Sequence, residues 1–173
     1  KNGKFILKHQ TQKNGKLFHN YKNGKSTING FLEDYAFTID GFIRLYEITF
    51  DEKWLKEANK MMEYTLEHFF DKNSGMFFFT SDQDTPLITR KFEITDNVIP
   101  ASNSAIANSL LLLGHLLSNK KYINISQQMT HNIKDQISYG PQYSNWGNLI
   151  LKNIYPFYEI AIVGENSNNT RQE

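Results

Sequence analysis

The chain states one structural pattern twice, 68 residues apart: a helix apolar on most of its faces, a short polar turn, then an amphipathic helix. The first turn, Asp51-Glu52-Lys53-Trp54-Leu55, is echoed by Asn119-Lys120-Lys121-Tyr122-Ile123. The match runs on in both directions. Phe42, Ile43 and Leu45 fall opposite Leu110, Leu111 and Leu113, and Ala58, Met61 and Phe69 fall opposite Ser126, Met129 and Ile137. A helical pair repeated in this way cannot bury its apolar surface alone and stacks on its neighbour. The member that is apolar all round is walled in by others, whereas the member with a single apolar stripe keeps a wet face. The repeat therefore predicts a mainly α fold, a double-layered array of helical hairpins.

The elements follow from periodicity. Helix A is expected over 32–48, where Leu32, Ala36, Ile39, Ile43 and Tyr46 keep a helical period, and helix B over 52–70, where opposite charges recur at helical spacing on the wet face. Helix C begins after Pro100, where Ser102, Asn103 and Ser104 can all cap, and runs through Leu116. Helix D spans 122–137 and a weaker helix E 144–154. Between B and C the period changes, and the stretches 75–80 and 87–92 about a turn-rich segment predict an inserted β-hairpin. Three Asn-Gly dipeptides punctuate the first 29 residues, which read as turns with extended pieces at best. The domain reading is a polar lead-in over 1–31, the helical array over 32–156, and a β-like segment with a frayed polar tail over 157–173.

With 19 Lys plus Arg against 18 Asp plus Glu, the charge is nearly balanced, so neither nucleic acid nor an anionic membrane is an expected partner. No apolar run approaches the roughly 20 residues of a membrane span, and no signal peptide opens the chain. The absence of Cys excludes disulfides, thiolate metal sites and cysteine catalysis in this segment, and fits a reducing compartment such as the cytoplasm. No pair of His has metal-site spacing and no carboxylate cluster has calcium-loop spacing, so neither a metal nor a cofactor is expected. The chain opens on Lys1 and not on Met, as a piece of a longer protein would.

If A, C and E are inner helices and B and D outer ones, every join from an outer helix to the next inner helix lands on the same end of the array. Those joins, around 21–32, 71–104 and 139–146, hold the unusual sequence. They also meet the N-termini of the inner helices, where free N–H groups and the helix dipole favour anions and polar ligands. Asp34 and Asp96 are the candidate catalytic pair, able to act as acid and base on a glycosidic bond given the right separation. Tyr35, Arg90, Asn97, Ser102, Asn103 and Trp146 are the candidate ligand-binding residues, since amides, hydroxyls and rings suit a carbohydrate. Glu33, Tyr21, Tyr143 and Asn145 lie in the same joins. Helix capping is the plainer account of Glu33, Asp34, Ser102, Asn103 and Ser104. His115 on helix C reads as a hydrogen-bonded core histidine or a catalytic one.

The stretches Gly30-Phe31-Leu32-Glu33-Asp34-Tyr35-Ala36, Gly75-Met76-Phe77-Phe78-Phe79-Thr80, Arg90-Lys91, Asp96 and Pro100-Ala101-Ser102-Asn103-Ser104, in that order, resemble the C-terminal part of the bacterial YyaL-like proteins and the animal spermatogenesis-associated thioredoxin-domain proteins. The likeness runs from about Leu17 to Gly164. It implies a partial α/α toroid, similar to the six-hairpin glycosidases and the N-acylglucosamine 2-epimerases, with the inserted β-hairpin. It also implies a missing N-terminal part of the same chain that includes a thioredoxin-like domain. Where the family pattern has Asp-Gly-Ala ahead of a Pro-Ser-Gly-Asn-Ser-like motif, this chain reads Asp96-Asn97-Val98 and Pro100-Ala101-Ser102-Asn103-Ser104. The epimerase histidines have no counterpart here that can be matched residue by residue. Two functional expectations result: a carbohydrate-like ligand bound on the polar face, as in a glycosidase or sugar epimerase, or a non-catalytic helical scaffold for a protein partner. Apolar flanks on A and E predict self-association of the fragment.

Overall fold

The computed structural model describes residues 1–85, 89–155, 157–158, 160 and 163–164. Six α-helices lie among them: α1 (Asn2–His9), α2 (Leu32–Thr49), α3 (Glu52–His68), α4 (Ser102–Leu116), α5 (Lys120–Ile133) and α6 (Ser144–Ile154). The repeat holds to the residue at the two tight turns. Phe50 and Ser118, 68 positions apart, both take the left-handed conformation, with φ of 53° and 52°. The next residue in each case caps the following helix, Asp51 accepting from the Lys53 N–H and Asn119 from those of Lys121 and Tyr122.

The layers are as the apolar patterns dictate. From Ser102 to Gly114 every residue of α4 is buried, so it is an inner helix with neighbours on all sides. It packs against α2, α5 and α6. Helices α3 and α5 each bury one stripe, Trp54, Ala58 and Met61 on the first and Tyr122, Ser126 and Met129 on the second. These are the paired positions of the repeat, and they point into one continuous core. The outer pair Phe69 and Ile137 breaks the symmetry, since Phe69 is fully buried and Ile137 lies beyond the end of α5, partly exposed.

The first 31 residues differ from expectation, for they contain helix α1 and not merely extended pieces. Asn2-Gly3 makes no turn; Gly3 lets α1 approach α2 and α3, because a Cβ there would stand 2.8 Å from Leu45 Cδ1 and 2.9 Å from the Trp54 ring. Asn23-Gly24 does make the expected turn. Both residues have positive φ, and Lys22 and Lys25 exchange hydrogen bonds of 2.9 and 3.1 Å across a two-residue loop.

The inserted hairpin is shifted from its expected place. Strand β1 (Phe70–Asp71) pairs antiparallel with β2 (Met76–Phe77), because the Asp71 carboxylate accepts from the N–H groups of Asn73 and Ser74 and Gly75 takes a φ of 68°, closing a tight local turn. Among its described residues, the predicted partner stretch 87–92 contributes one bridge, Phe78 to Phe92, whose rings stack at 4.5 Å. Leu87 and Ile88 fall outside the described residues. So do most of the β-like segment and the tail beyond Gly164; of that segment, Tyr158, Ile160 and Val163 are exposed and in no strand.

Candidate functional site

The three long joins do gather at one rim, and hydrogen bonds tie them together. Asn29 of the first donates to Asp84 of the second at 2.6 Å, and the Leu32 N–H donates to the Phe79 carbonyl at 2.9 Å. The Asp96 N–H of the second join donates to the Gln142 carbonyl of the third at 2.7 Å.

Asp96 is the knot of this rim. It is buried, and its Oδ1 accepts from the Ala101 N–H and the Ser104 hydroxyl, both at 2.8 Å. Its Oδ2 accepts from the Asn145 N–H at 2.8 Å and the Ser144 hydroxyl at 3.4 Å. One carboxylate thus closes the starts of α4 and α6 at once, a use of buried charge that satisfies helix-end N–H groups. Asp34 sits at the start of α2 and is only partly covered. It accepts from the Phe31 N–H at 2.8 Å, as a capping box requires, and from His19 Nδ1 at 2.9 Å. The two aspartates stand at the same end of the array, at two different helix starts, and each is engaged in holding its helix.

The other predicted residues divide by burial. Asn103 is fully enclosed, with Oδ1 accepting from the Phe77 N–H and Nδ2 donating to the Phe77 and Glu93 carbonyls, each at 2.9 Å. Trp146 is fully enclosed and donates from Nε1 to the Ile94 carbonyl at 2.8 Å. The Tyr35 hydroxyl, beneath the first join, accepts from the Leu17 N–H at 2.8 Å, and burial pushes its phenol well above the ordinary tyrosine range. These three pin loops to helices. Arg90 spans from the hairpin to the end of α3, donating to the Thr80 and His68 carbonyls with its guanidinium 4.2 Å from the centre of the Phe78 ring. Ser102 donates its N–H to Glu93 Oε2 at 2.9 Å, and its hydroxyl is buried with no hydrogen-bond partner among the described residues. Asn97 is exposed.

One residue of the rim is not singled out by sequence and another gains a role there. His19, brought to Asp34 by the folding back of the first join, has no spacing signal that would mark it. Glu33, which the sequence places in the same join with capping as its plainer role, lies near Asp34 and Glu93. Partial burial first, then those two carboxylates, raise its pKa, with His19 opposing them.

A second polar group lies on the flank shared by the inner helices. A cavity of about 180 Å³ is lined by Phe37, Asp40 and Arg44 of α2, Asn108 of α4, and Asn145 and Lys152 of α6. Lys152 Nζ donates to Asn108 Oδ1 at 2.8 Å, and Asn108 Nδ2 donates to the Ser104 carbonyl at 3.0 Å. Arg44 pairs with Asp40 at 3.4 Å and Glu47 at 2.9 Å. Burial, then the nearby Arg44, lowers the Lys152 pKa. Part of the signal is in the sequence: Asp40 and Arg44 stand four apart in the middle of α2, and Asn108 with Ser109 follows the apolar stretch 105–107 of α4.

A search of solved structures aligns 86% of this chain with 42% of the chain of a GH76 alpha-mannanase from Bacteroides thetaiotaomicron, at a TM-score of 0.64 and 15% identity. The fold is that of an α/α toroid. At that identity the likeness carries the fold and nothing finer. In sequence, spermatogenesis-associated protein 20 of Rattus norvegicus is 33% identical over 96 residues, 55% of this chain, and the human protein is 31% identical over 96 residues. An uncharacterised protein of Caenorhabditis elegans is 25% identical over 120 residues, 69% of this chain. These relatives bear out the resemblance drawn from the motifs. The match spans only 12% of the rat and human relatives. No family model matches the chain.

Proposed function

We propose that this chain is the ligand-holding part of a glycosidase-like α/α toroid, and that its ligand is carbohydrate-like. The observation that carries the reading is the polar group on the inner helices, where an aromatic ring, two amides, a carboxylate and two cations border one cavity between α2, α4 and α6. Hydroxyl-rich ligands need donors and acceptors at close spacing and an apolar face to stack on, and this set supplies both. α-Mannan oligosaccharides are the first to try, because the neighbour of like fold is a mannanase.

The same geometry favours binding over hydrolysis by the pair Asp34 and Asp96. A general acid must be free to hold and release a proton at the leaving oxygen. Asp96 spends both oxygens on helix starts and Asp34 spends its own on a cap and on His19. Among the rim carboxylates, Glu33 has the surroundings that favour a bound proton.

Titration calorimetry with α-mannan oligosaccharides tests the reading. Saturable binding that falls at least tenfold in Arg44→Ala and Lys152→Met, with thermal stability unchanged, is the expected result. Absence of saturable binding across mannose, glucose and N-acetylglucosamine oligosaccharides overturns it and leaves the scaffold reading, in which the toroid presents a surface to a protein.

A further inference from the structure

The three inner helices start at one rim, and each turns one stripe toward the cavity between them. Phe37, Asp40 and Arg44 keep helical spacing on α2, and Asn145 and Lys152 stand two turns apart on α6. Asn108 of α4 joins the walls, its Oδ1 accepting from Lys152 Nζ at 2.8 Å and its Nδ2 donating to the Asn145 carbonyl at 3.3 Å. From Phe37 to Arg44, and again from Asn145 to Lys152, the helix rises about 10 Å. The cavity therefore has a polarity, with the Phe37 ring and the Asn145 amide toward the rim and two cations at its inner end.

Those cations are unevenly answered. Arg44 has Glu47, outside the cavity wall, at 2.9 Å from Nη1, and Asp40 at 3.4 Å from Nη2. Lys152 has no ion pair among the described residues; its ammonium ends on the buried Asn108 amide, which offers an acceptor and no charge. An ammonium carries three donors, so two are left for whatever enters the cavity. Bringing a cation onto a buried amide costs hydration that only an opposite charge repays in full. Arg44 adds repulsion that Asp40 and Glu47, each acting on Lys152 by less, oppose. Of the charged side chains that border the cavity, two are positive and one is negative.

Resting on the carbohydrate reading of this cavity, we infer that its ligand is an acidic saccharide, a sugar bearing a carboxylate or a phosphate, whose anionic group lies between Arg44 and Lys152 while a ring face meets Phe37. A neutral sugar needs donors and acceptors, which the two amides and Asp40 already offer. Two cations brought together from α2 and α6 add what only an anion uses. The Arg44 fork can hold two oxygens of one acid group, and Lys152 supplies a point charge beside it. Asp40 accepts from the hydroxyls of the same sugar and keeps the Arg44 side chain along the wall.

Titration calorimetry on matched pairs tests this, with trigalacturonate against galactotriose and 6-phosphorylated mannotriose against mannotriose. The acidic member of at least one pair is expected to bind about tenfold tighter than its neutral match, and the pair that shows it distinguishes carboxylate from phosphate. Raising the ionic strength shrinks that margin. Lys152→Gln keeps an N–H for the ligand and removes the charge, so the margin falls to about twofold in a protein whose circular dichroism is that of the parent. Neutral members that bind as tightly as the acidic ones overturn the inference and leave the carbohydrate reading in place. A margin that survives Lys152→Gln overturns it too, as does inorganic phosphate binding as tightly as the sugar phosphate. Silence from all four saccharides removes the carbohydrate reading, and the inference with it.

Discussion

Helices α2 and α4 begin at the same rim, each beside an aspartate, yet the two starts are built differently. At α4 the carboxylate of Asp96 is enclosed and takes four hydrogen bonds from two helix starts, and Asn103 locks the hairpin strand behind it. At α2 the carboxylate of Asp34 is partly exposed, caps one helix and meets one histidine. Equal residues at equal places in an array thus carry unequal shares of stability, because an unmade hydrogen bond costs far more inside than at a wet surface. The inner helix covered on all sides is organised around its aspartate; the inner helix with an open flank is only trimmed by its own.

The contrast breaks most visibly at Asp96. Asp96→Ala strands the N–H groups of Ala101 and Asn145, while the Ser104 hydroxyl keeps the Ala101 carbonyl, and is expected to cost about 3–5 kcal/mol in urea unfolding, at one to three per stranded donor. Asn103→Ala frees both polar groups of Phe77 and should cost about 2–3 kcal/mol by the same measurement. Asp34→Ala removes a capping box and should cost about 1 kcal/mol, little enough that the helical circular dichroism signal at 25 °C stays put.

The smallest effect sharpens the picture of the α2 start. The folded-state pKa of Glu33 is raised, so the folded form prefers the proton; its stabilising share is complete below the unfolded value of 4.5 and is lost as pH rises through the folded value. Glu33→Gln is therefore expected to raise the unfolding midpoint slightly at pH 7. The gain should vanish as pH drops below that unfolded value, and a pH series of thermal melts reads it.

Much of the architecture was legible in the chain, since the echo of Asp51 in Asn119 locates both tight turns and the burial of Ala58 and Ser126, of Met61 and Met129, follows from the shared register. Helix α6 is the weaker helix expected over 144–154, found at those bounds. Helix α1 was hidden because its stabilisation is tertiary: Asn2-Gly3 signals a turn locally, and the value of Gly3 as a contact with Trp54 exists only once α3 is in place. The shift of the hairpin has a similar cause, the local turn at Asp71 and Gly75 winning over the longer pairing. Residue type alone did mark the rim, where the three joins meet. It could not rank the residues on it, because the partners of Trp146 and Asn103, the carbonyls of Ile94 and Phe77, come from distant segments with no spacing signal.

The most direct test of this reading is a pair of urea unfolding curves, Asp96→Asn beside Asp34→Asn. An amide keeps one acceptor, enough for the Phe31 N–H at position 34, but at 96 it turns a donor toward a buried N–H. The account predicts a loss of about 2 kcal/mol or more for Asp96→Asn and under about 1 kcal/mol for Asp34→Asn. Equal and small losses, with oligosaccharide binding abolished in both, would contradict it and return the two aspartates to a shared chemical task.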